Sequence, residues 1–263
     1  MKILTLIIPT RNRFEFLKKI LLEIKEFNKI IDIIVIDDSS SIEVSKLIIK
    51  LTKKFNNLKY FKLKRNKGQS FACNYGLKIS KTKYVWFFDD DDLLKKETLK
   101  VSLNFLNKNN IDGALLPMKQ VYKKHLIKHV RPKKNQHLFD YLRNSPQKVS
   151  TSCAIFDRKK ILSIGGWDER LFGGTDTDLF LRFSKIGTFI ILKAEPVLVN
   201  FSAPNRVTNN FFRQQNAKLY ILKKHWYILT LKRKFYYIIS YLLCLSILNN
   251  FKVKIKLLRY KFK

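Results

Sequence analysis

Acidic residues are scarce in this chain: 20 Asp and Glu stand against 53 Lys and Arg in 263 residues, a formal net charge of +33. After Glu195 there is none at all. Few carboxylates are left to do chemistry, so any that cluster stand out. Much of the excess is Lys, in a sequence also rich in Ile, Asn, Phe and Tyr, a bias that coding-DNA composition produces as readily as function does. A basic surface nonetheless attracts anions, whether nucleotides, nucleic acid or anionic lipid heads. Cysteine is equally sparse. Cys73, Cys153 and Cys244 are far apart and form no C-x-x-C pair, which excludes a disulfide framework and a zinc site and points to a reducing compartment. No Gly-rich phosphate loop of the G-x-G-x-x-G or Walker type follows any apolar run, so a dinucleotide or P-loop enzyme is disfavoured. No repeat is visible, and no apolar run reaches the roughly 20 residues of a spanning helix. The first strand begins almost at once, and the Pro9-Thr10-Arg11 break comes too early for a signal peptide, so a cytoplasmic protein is expected.

What is present is an apolar fraction of 46%, enough for one large α/β domain with a tail or for two small domains. Its organising stretch is Tyr84-Val85-Trp86-Phe87-Phe88-Asp89-Asp90-Asp91-Asp92, a buried strand ending in four carboxylates. Two carboxylates about 4 Å apart repel by roughly 1 kcal/mol in water and by several at the effective dielectric of a protein surface. A cluster of this kind calls for a compensating cation, and hard oxygen-preferring ions such as Mg²⁺ or Mn²⁺ are the natural candidates. The alternative is a solvated loop that caps a helix starting near Lys95.

The preceding chain repeats the pattern. Ile3 to Ile8 reads as a strand stopped by Pro9, and Asn12 as the cap of a helix carrying Phe16, Leu17, Ile20, Leu21 and Ile24. A second strand, Ile31 to Ile36, runs into Asp37-Asp38-Ser39-Ser40. A helix over Val44 to Phe55, a strand over Leu58 to Leu63, a turn at Arg65-Asn66-Lys67-Gly68 and a helix over Ser70 to Ile79 follow. Alternating strands and helices imply a parallel, doubly wound sheet, whose ligands bind beyond the carboxyl ends of the strands. That rule places Thr10 to Arg13, Asp37 to Ser40 and Asp89 to Asp92 at one edge. Arg11, Arg13, Arg65 and Lys67 could there supply positive charge to a diphosphate.

Beyond the acids, Leu99, Leu103 and Leu106 suit a helix and Asp112 to Met118 a strand. Residues 119–148 are basic; the alternation around His125 and His129 favours strand, and a metal pair of these with His137 is disfavoured. Another strand is expected over Cys153 to Phe156. Glycine pairs flank Trp167-Asp168-Glu169, giving a loop free to approach a ligand. Thr175 or Asp176 then opens a helix running to about Lys185 and ended by Gly187. In the tail, Asn209 to Trp226 reads as a helix. The apolar run from Phe235 to Leu248, flanked by Lys232-Arg233-Lys234 and by Lys252, Lys254, Lys256 and Arg259, fits an interfacial helix on anionic lipid, or a helix packed on the domain or on a second subunit.

These segments together resemble the inverting glycosyltransferases of family 2, with the nucleotide-sugar-binding GT-A fold. Ile7-Ile8-Pro9-Thr10-Arg11-Asn12-Arg13 is similar to the family's I-P-T-x-N-R opening, and Ile34 to Ser40 to its V-V-D-D-G-S. Arg65 to Asn74 resembles N-x-G-x-x-x-A-x-N, Phe87 to Leu93 the D-x-D motif, and Gly165 to Arg182 the G-G-F-D-E and E-D-x-D-L-x-x-R region. The set spans roughly residues 3 to 190, in the family's order.

The resemblance implies that Pro9, Thr10, Arg11, Arg13, Asp38, Asn66 and Gly68 form the nucleotide pocket, with Asp38 accepting from a uracil or thymine. It implies that Asp89 and Asp90 belong to the donor site, that Asp91 with Asp89 ligates Mn²⁺ or Mg²⁺ at the diphosphate, and that Asp176 is the general base. It implies a nucleoside-diphosphate-sugar donor and a glycan or lipid-linked acceptor in cell-surface polysaccharide synthesis, and no specific nucleic acid partner. The expected division is a catalytic domain over 1–205, its donor half about 1–118 and its acceptor half about 119–205, followed by a helical, basic extension over 206–263. That extension would hold the protein to the inner face of the cell membrane or join two copies. An inactive carbohydrate-binding relative and, on the charge alone, a basic nucleic-acid-binding protein are the contrasting possibilities. The chain departs from the family in four places: Ser39 stands where Gly is usual, Cys73 where Arg is common, Arg11 where an aromatic often stacks on the base, and Thr175 where Glu usually precedes the catalytic Asp. Asp168 and Asp178 remain as competing acids near Asp176.

Overall fold

The computed structural model describes residues 2–122, 125–130, 143, 150–171, 173–201 and 211–243. His137, the end of the apolar run from Cys244 to Leu248, and Lys252, Lys254, Lys256 and Arg259 lie outside the described residues.

The sheet follows from the apolar runs. β1 (Leu4–Thr10), β2 (Asp32–Asp37), β3 (Leu58–Lys62) and β4 (Tyr84–Phe87) pair in parallel in the order β3-β2-β1-β4. The helices between them are α1 (Phe14–Glu23), α2 (Ile42–Thr52) and α3 (Gln69–Ile79). The period of two along each strand divides the core. Leu4, Leu6, Ile8, Tyr84, Trp86 and Phe88 face one layer with α1, α2 and α4 (Lys96–Lys108), whereas Ile7, Val85 and Phe87 face a second layer with α3. Burial on both faces explains why β4 carries no polar residue.

Three local expectations change. β1 does not stop at Pro9 but continues to Thr10. Its pairing with β4 ends at Ile7↔Phe87, so the missing amide of Pro9 faces no rung. The segment Asp112 to Met118 is two strands, β5 (Gly113–Leu115) and β6 (Met118–Tyr122). Pro117 separates them, and its carbonyl instead accepts from the Val197 amide. β8 (Ala154–Asp157) enters antiparallel between β4 and β5, so the full order is β3-β2-β1-β4-β8-β5-β9, with β9 (Phe189–Ile191) at the edge. The sheet is mostly parallel, as the GT-A resemblance implies.

A small second sheet, β10-β6-β7, is formed by β6, β7 (His125–Val130) and β10 (Val197–Asn200). β7 makes strand of the segment that carries His125 and His129, as the alternation there predicts. The second layer is completed by α5 (Arg158–Ser163), α6 (Thr175–Phe183), α7 (Phe211–Lys224) and α8 (231–243). Ile221, Leu222, Leu229 and Tyr237 are buried in one cluster with Phe87, Phe156, Phe180 and Phe183. The described part of the tail therefore packs on the sheet. Among the described residues no helix is long and apolar enough to cross a membrane.

Candidate active site

The carboxyl ends of β1, β2 and β4 lie side by side, and the loops that leave them are bonded to one another. The Asp38 amide donates to the Thr10 carbonyl at 2.8 Å. Asn12 does not cap α1. Its amide donates to Ser40 Oγ and its Oδ1 accepts from the Ser41 amide, both at 2.8 Å, while Arg13 takes the cap position without a side-chain bond. Asn12 and Ser39 both have positive φ, 53° and 65°. Asn tolerates that region, whereas Ser carries a cost there that Gly would not, which accounts for the family's usual Gly at the Ser39 position.

The acids divide by what holds them. Asp37 is fully buried and accepts from the Ser40 amide at 2.7 Å, from Ser45 Oγ at 3.0 Å and from the Tyr60 hydroxyl at 2.5 Å. Its work is structural. Asp38 accepts from the Lys67 and Gly68 amides at 2.7 and 2.8 Å, joining the β2 loop to the turn before α3. Gly68 holds φ at 88° and accounts for the glycine there; the exposed Asn66 bonds its amide at 3.1 Å. Arg11 is exposed at the rim.

The aspartate quartet is not a solvated loop. Asp90, Asp91 and Asp92 are buried, and Lys95, not an aspartate, precedes α4 as its cap. The cation that compensates them in this structure is Arg13, whose Nη1 lies 2.9 Å from Asp90 Oδ1 and 3.1 Å from Asp91 Oδ2. The Thr10 hydroxyl donates to the other Asp90 oxygen at 2.7 Å. Burial pushes the Asp90 carboxyl up to about 6, against the pull of Arg13 and Thr10. Thr10, Asp90 and Arg13 thus tie two loops together. The Thr10 and Asp90 side chains are both buried and bonded to each other. Asp92 accepts from the Asn200 amide at 3.0 Å, and Leu93 exchanges backbone bonds with Leu198, so the quartet also anchors the small sheet.

Asp89 is the least buried of the four. Its Oδ1 accepts from Gln69 Nε2 at 2.6 Å, and its amide donates to Ser152 Oγ at 3.1 Å. Among the described residues no group of three or more His, Cys, Asp or Glu side chains is placed to hold a metal ion. The donor set nevertheless fits Mg²⁺ or Mn²⁺ of the kind held by one or two carboxylates and completed by substrate phosphates and water. Asp89 and Asp91 would be the protein's ligands, with Arg13 adjacent.

Asp176 lies in the first turn of α6, half-buried. Burial raises the Cys73 and Cys153 thiols well above the ordinary range, and the charges of both Asp89 and Asp176 raise them further. Both carboxylates thus lie within electrostatic reach of these two thiols. The two competing acids are accounted for otherwise. Asp168 accepts from Arg170 at 2.9 Å, from Lys224 at 2.6 Å and from the Tyr220 hydroxyl at 3.0 Å. Asp178, fully buried, meets Arg182 at 2.7 Å, Lys224 at 2.6 Å and His225 at 2.8 Å, and these partners hold its carboxyl down at about 2 despite burial. Asn74 joins this side to α3, donating to the Trp167 carbonyl and to Glu169 at 2.9 and 2.7 Å.

Sequence reasoning missed Gln69, Ser152, Tyr220, Lys224 and His225 as neighbours of the acids. Only Arg182 had a local signal, four residues after Asp178 on one helix face.

A mostly parallel sheet of alternating strands and helices, with acid-bearing loops at the carboxyl ends of its strands, defines the GT-A class of fold. The glycosyl transferase family 2 profile matches residues 5–164, more than half of the chain, and the chain belongs to that family. It is 32% identical over 121 residues to the poly(ribitol-phosphate) beta-N-acetylglucosaminyltransferase TarS of Staphylococcus aureus, a match covering 44% of this chain and 21% of that protein. The crystal structure of S. aureus TarS 1-349 in complex with UDP-GlcNAc superposes with a TM-score of 0.68 at 20% identity, covering 84% of this chain and 67% of that one. A mannosyltransferase from Pyrobaculum calidifontis in complex with GDP-Man and Mn²⁺ superposes with a TM-score of 0.60 at 17% identity, covering 84% and 63%. At such identities the structural likeness speaks for the fold alone. The chain spans about a fifth of the length of curated relatives such as TarS.

Proposed function

We propose that this chain is a metal-dependent, inverting glycosyltransferase that moves a sugar from a nucleoside-diphosphate sugar, UDP- or dTDP-linked, to a glycan or lipid-linked acceptor in cell-surface polysaccharide synthesis. The observation that carries the reading is the meeting of the β1, β2 and β4 loops, bonded through the Asp38 amide to Thr10 and through Arg13 to Asp90 and Asp91. The names of TarS and its bound UDP-GlcNAc support the donor class, and the Mn²⁺ complex of the mannosyltransferase supports the metal.

In this reading the base and ribose lie along Asp38, Arg11, Asn66 and Gly68, with Asp89 toward the ribose and Asp91 and Asp89 holding the metal. Arg13, already the counter-ion of the quartet, adds positive charge near the diphosphate. A divalent ion, when bound, supplies Lewis-acid stabilisation of the departing diphosphate. Asp176 accepts the proton of the acceptor hydroxyl. The hydroxyl oxygen forms its bond to the anomeric carbon while the bond from that carbon to the diphosphate oxygen breaks. The electron pair leaves with the nucleoside diphosphate, and one displacement inverts the centre. The catalytic unit is assigned to 1–205.

The 206–263 extension is assigned to the cytoplasmic face of the membrane. Supporting this, Leu231, Phe235, Ile239 and Leu242 are exposed along one stripe of α8, with Lys232 and Lys234 on the same helix, while Arg233 and Tyr237 are buried against the domain. Each basic residue near an anionic surface contributes roughly 1 kcal/mol. The test of the enzyme is turnover of a panel of nucleotide sugars with and without Mn²⁺. Asp91→Ala is expected to lose at least a hundredfold; turnover equal to the parent's would remove the metal from the scheme.

A further inference from the structure

We infer that α7 is a positioning element for the catalytic step, and that Lys224 is its central residue. The inference rests on the assignment of Asp176 as general base. Asp176 has one fixed residue two positions before it and another two positions after it, and α7 holds both.

On the near side, Gly174 caps α6 with φ at 61°, in the left-handed region. A β-carbon there would stand 2.7 Å from Ile221 Cδ1, so α7 touches the backbone at the helix entrance. On the far side, Asp178 is held by Lys224 Nζ at 2.6 Å and by His225 Nε2 at 2.8 Å. Ile221 and Lys224 are spaced i, i+3 on α7, and His225, whose amide donates to the Ile221 carbonyl, follows directly at its end, so the last turn of α7 meets both flanks of Asp176.

Lys224 also reaches out of α6. Its ammonium has three donors, and a second 2.6 Å contact goes to Asp168 Oδ2, in the loop that leads into α6. Tyr220, one turn earlier on α7, donates to the same oxygen at 3.0 Å. One cation thus bridges two acids on either side of the segment that delivers Asp176. Asp178 is fully buried and Asp168 nearly so, and each needs an opposite charge to stay ionised there. Losing Lys224 removes the one cation that the two acids share and leaves each with its own arginine, Arg170 on Asp168 and Arg182 on Asp178, so the two anchors are no longer tied to each other. The donor side, built by Asp38, Asp89 and Asp91 on other elements, is untouched. A base displaced by about 1 Å loses rate on the order of a hundredfold without loss of substrate binding.

The test uses the full chain. Lys224→Met is expected to lower kcat at least tenfold, to leave UDP affinity by calorimetry within twofold of the parent, and to speed amide hydrogen exchange across 173–178. Lys224→Arg, which keeps the charge, is expected to recover most of the kcat. Asp168→Asn keeps the shape of the loop and removes one anchor, and it is expected to show a smaller loss in the same direction should Lys224→Met fold poorly. Parent-like kcat and exchange in Lys224→Met and Asp168→Asn would overturn the inference, as would a loss that falls wholly on UDP binding. If the parent turns over no donor, the proposed function falls; the positioning role is then decided by hydrogen exchange alone.

Discussion

The two sides of the candidate site are built differently. On the donor side, acids at the ends of β2 and β4 are held by neighbours on adjoining loops: amides at Ser40, Lys67 and Gly68, the Thr10 hydroxyl and the Arg13 guanidinium. On the side proposed to hold the base, Asp168 and Asp178 each pair with an arginine nearby in sequence, Arg170 and Arg182, and share Lys224, which arrives on α7, 56 residues after Asp168. Strand ends fix the first set wherever the sheet forms. The second set is complete only when a distant helix docks. Donor binding and proton removal should therefore separate under mutation.

The sharpest separation comes from one acid on each side. Asp176→Asn is expected to lower kcat by about a thousandfold, within the range for a general base, while calorimetric UDP affinity stays within twofold. Asp91→Ala is expected to lose affinity and rate together. An Asp176→Asn protein that binds UDP tenfold more weakly would merge the two sides into one.

Stability should divide likewise. Asp178→Ala leaves Arg182, Lys224 and His225 facing a fully buried hole, and breaking a buried pair of this kind costs about 3–5 kcal/mol, readable as a lower urea midpoint. The comparison is sharpened by Lys62→Ala at the far edge of the donor side, an exposed end of β3, where less than about 0.5 kcal/mol is expected.

The acid limb of stability gives a smaller effect. The Asp178 carboxyl sits at about 2 in the folded chain and near 3.9 when unfolded. The unfolded state therefore takes the proton first, and the contribution of Asp178 is complete above about pH 4 and lost as pH falls toward 2. The difference is roughly 2–3 kcal/mol. Denaturant unfolding between pH 5 and 2 should show a shallower fall in Asp178→Asn than in the parent.

Ser39→Gly is expected to act in the opposite direction. Relief of the positive φ, offset by the greater freedom of an unfolded Gly, should raise stability by about 0.5–1 kcal/mol. Donor affinity should be unchanged.

These contrasts also explain how much could be read from the sequence. Strands, helices and the gathering of three acidic loops were legible because each signal is local: an apolar run, a period, an acid directly after a strand. The family motifs follow the same logic, and they lie in or near those loops. What escaped were long-range choices. Nothing near Ala154 announces that β8 runs antiparallel between β4 and β5, and Pro117 divides a segment that otherwise alternates like one strand. Arg13 read as a nucleotide contact, yet its charge answers Asp90 and Asp91, 77 residues away by the first of those bonds. Lys224 and His225 sit in a basic tail where one lysine looks like any other; only the fold shows which of them meets a buried acid. Asp37 and Asp38 are adjacent and chemically alike, and only the direction of each side chain from β2 makes one structural and leaves the other at the turn before α3.

The account stands on a nucleoside diphosphate and a divalent ion meeting at Asp89 and Asp91. Calorimetric titration of the full chain with UDP, in Mn²⁺ and in chelator, tests it most directly. The expected result is an affinity at least tenfold higher with Mn²⁺, with that gain abolished in Asp91→Ala. Equal affinity under both conditions, or a gain that survives Asp91→Ala, would contradict it.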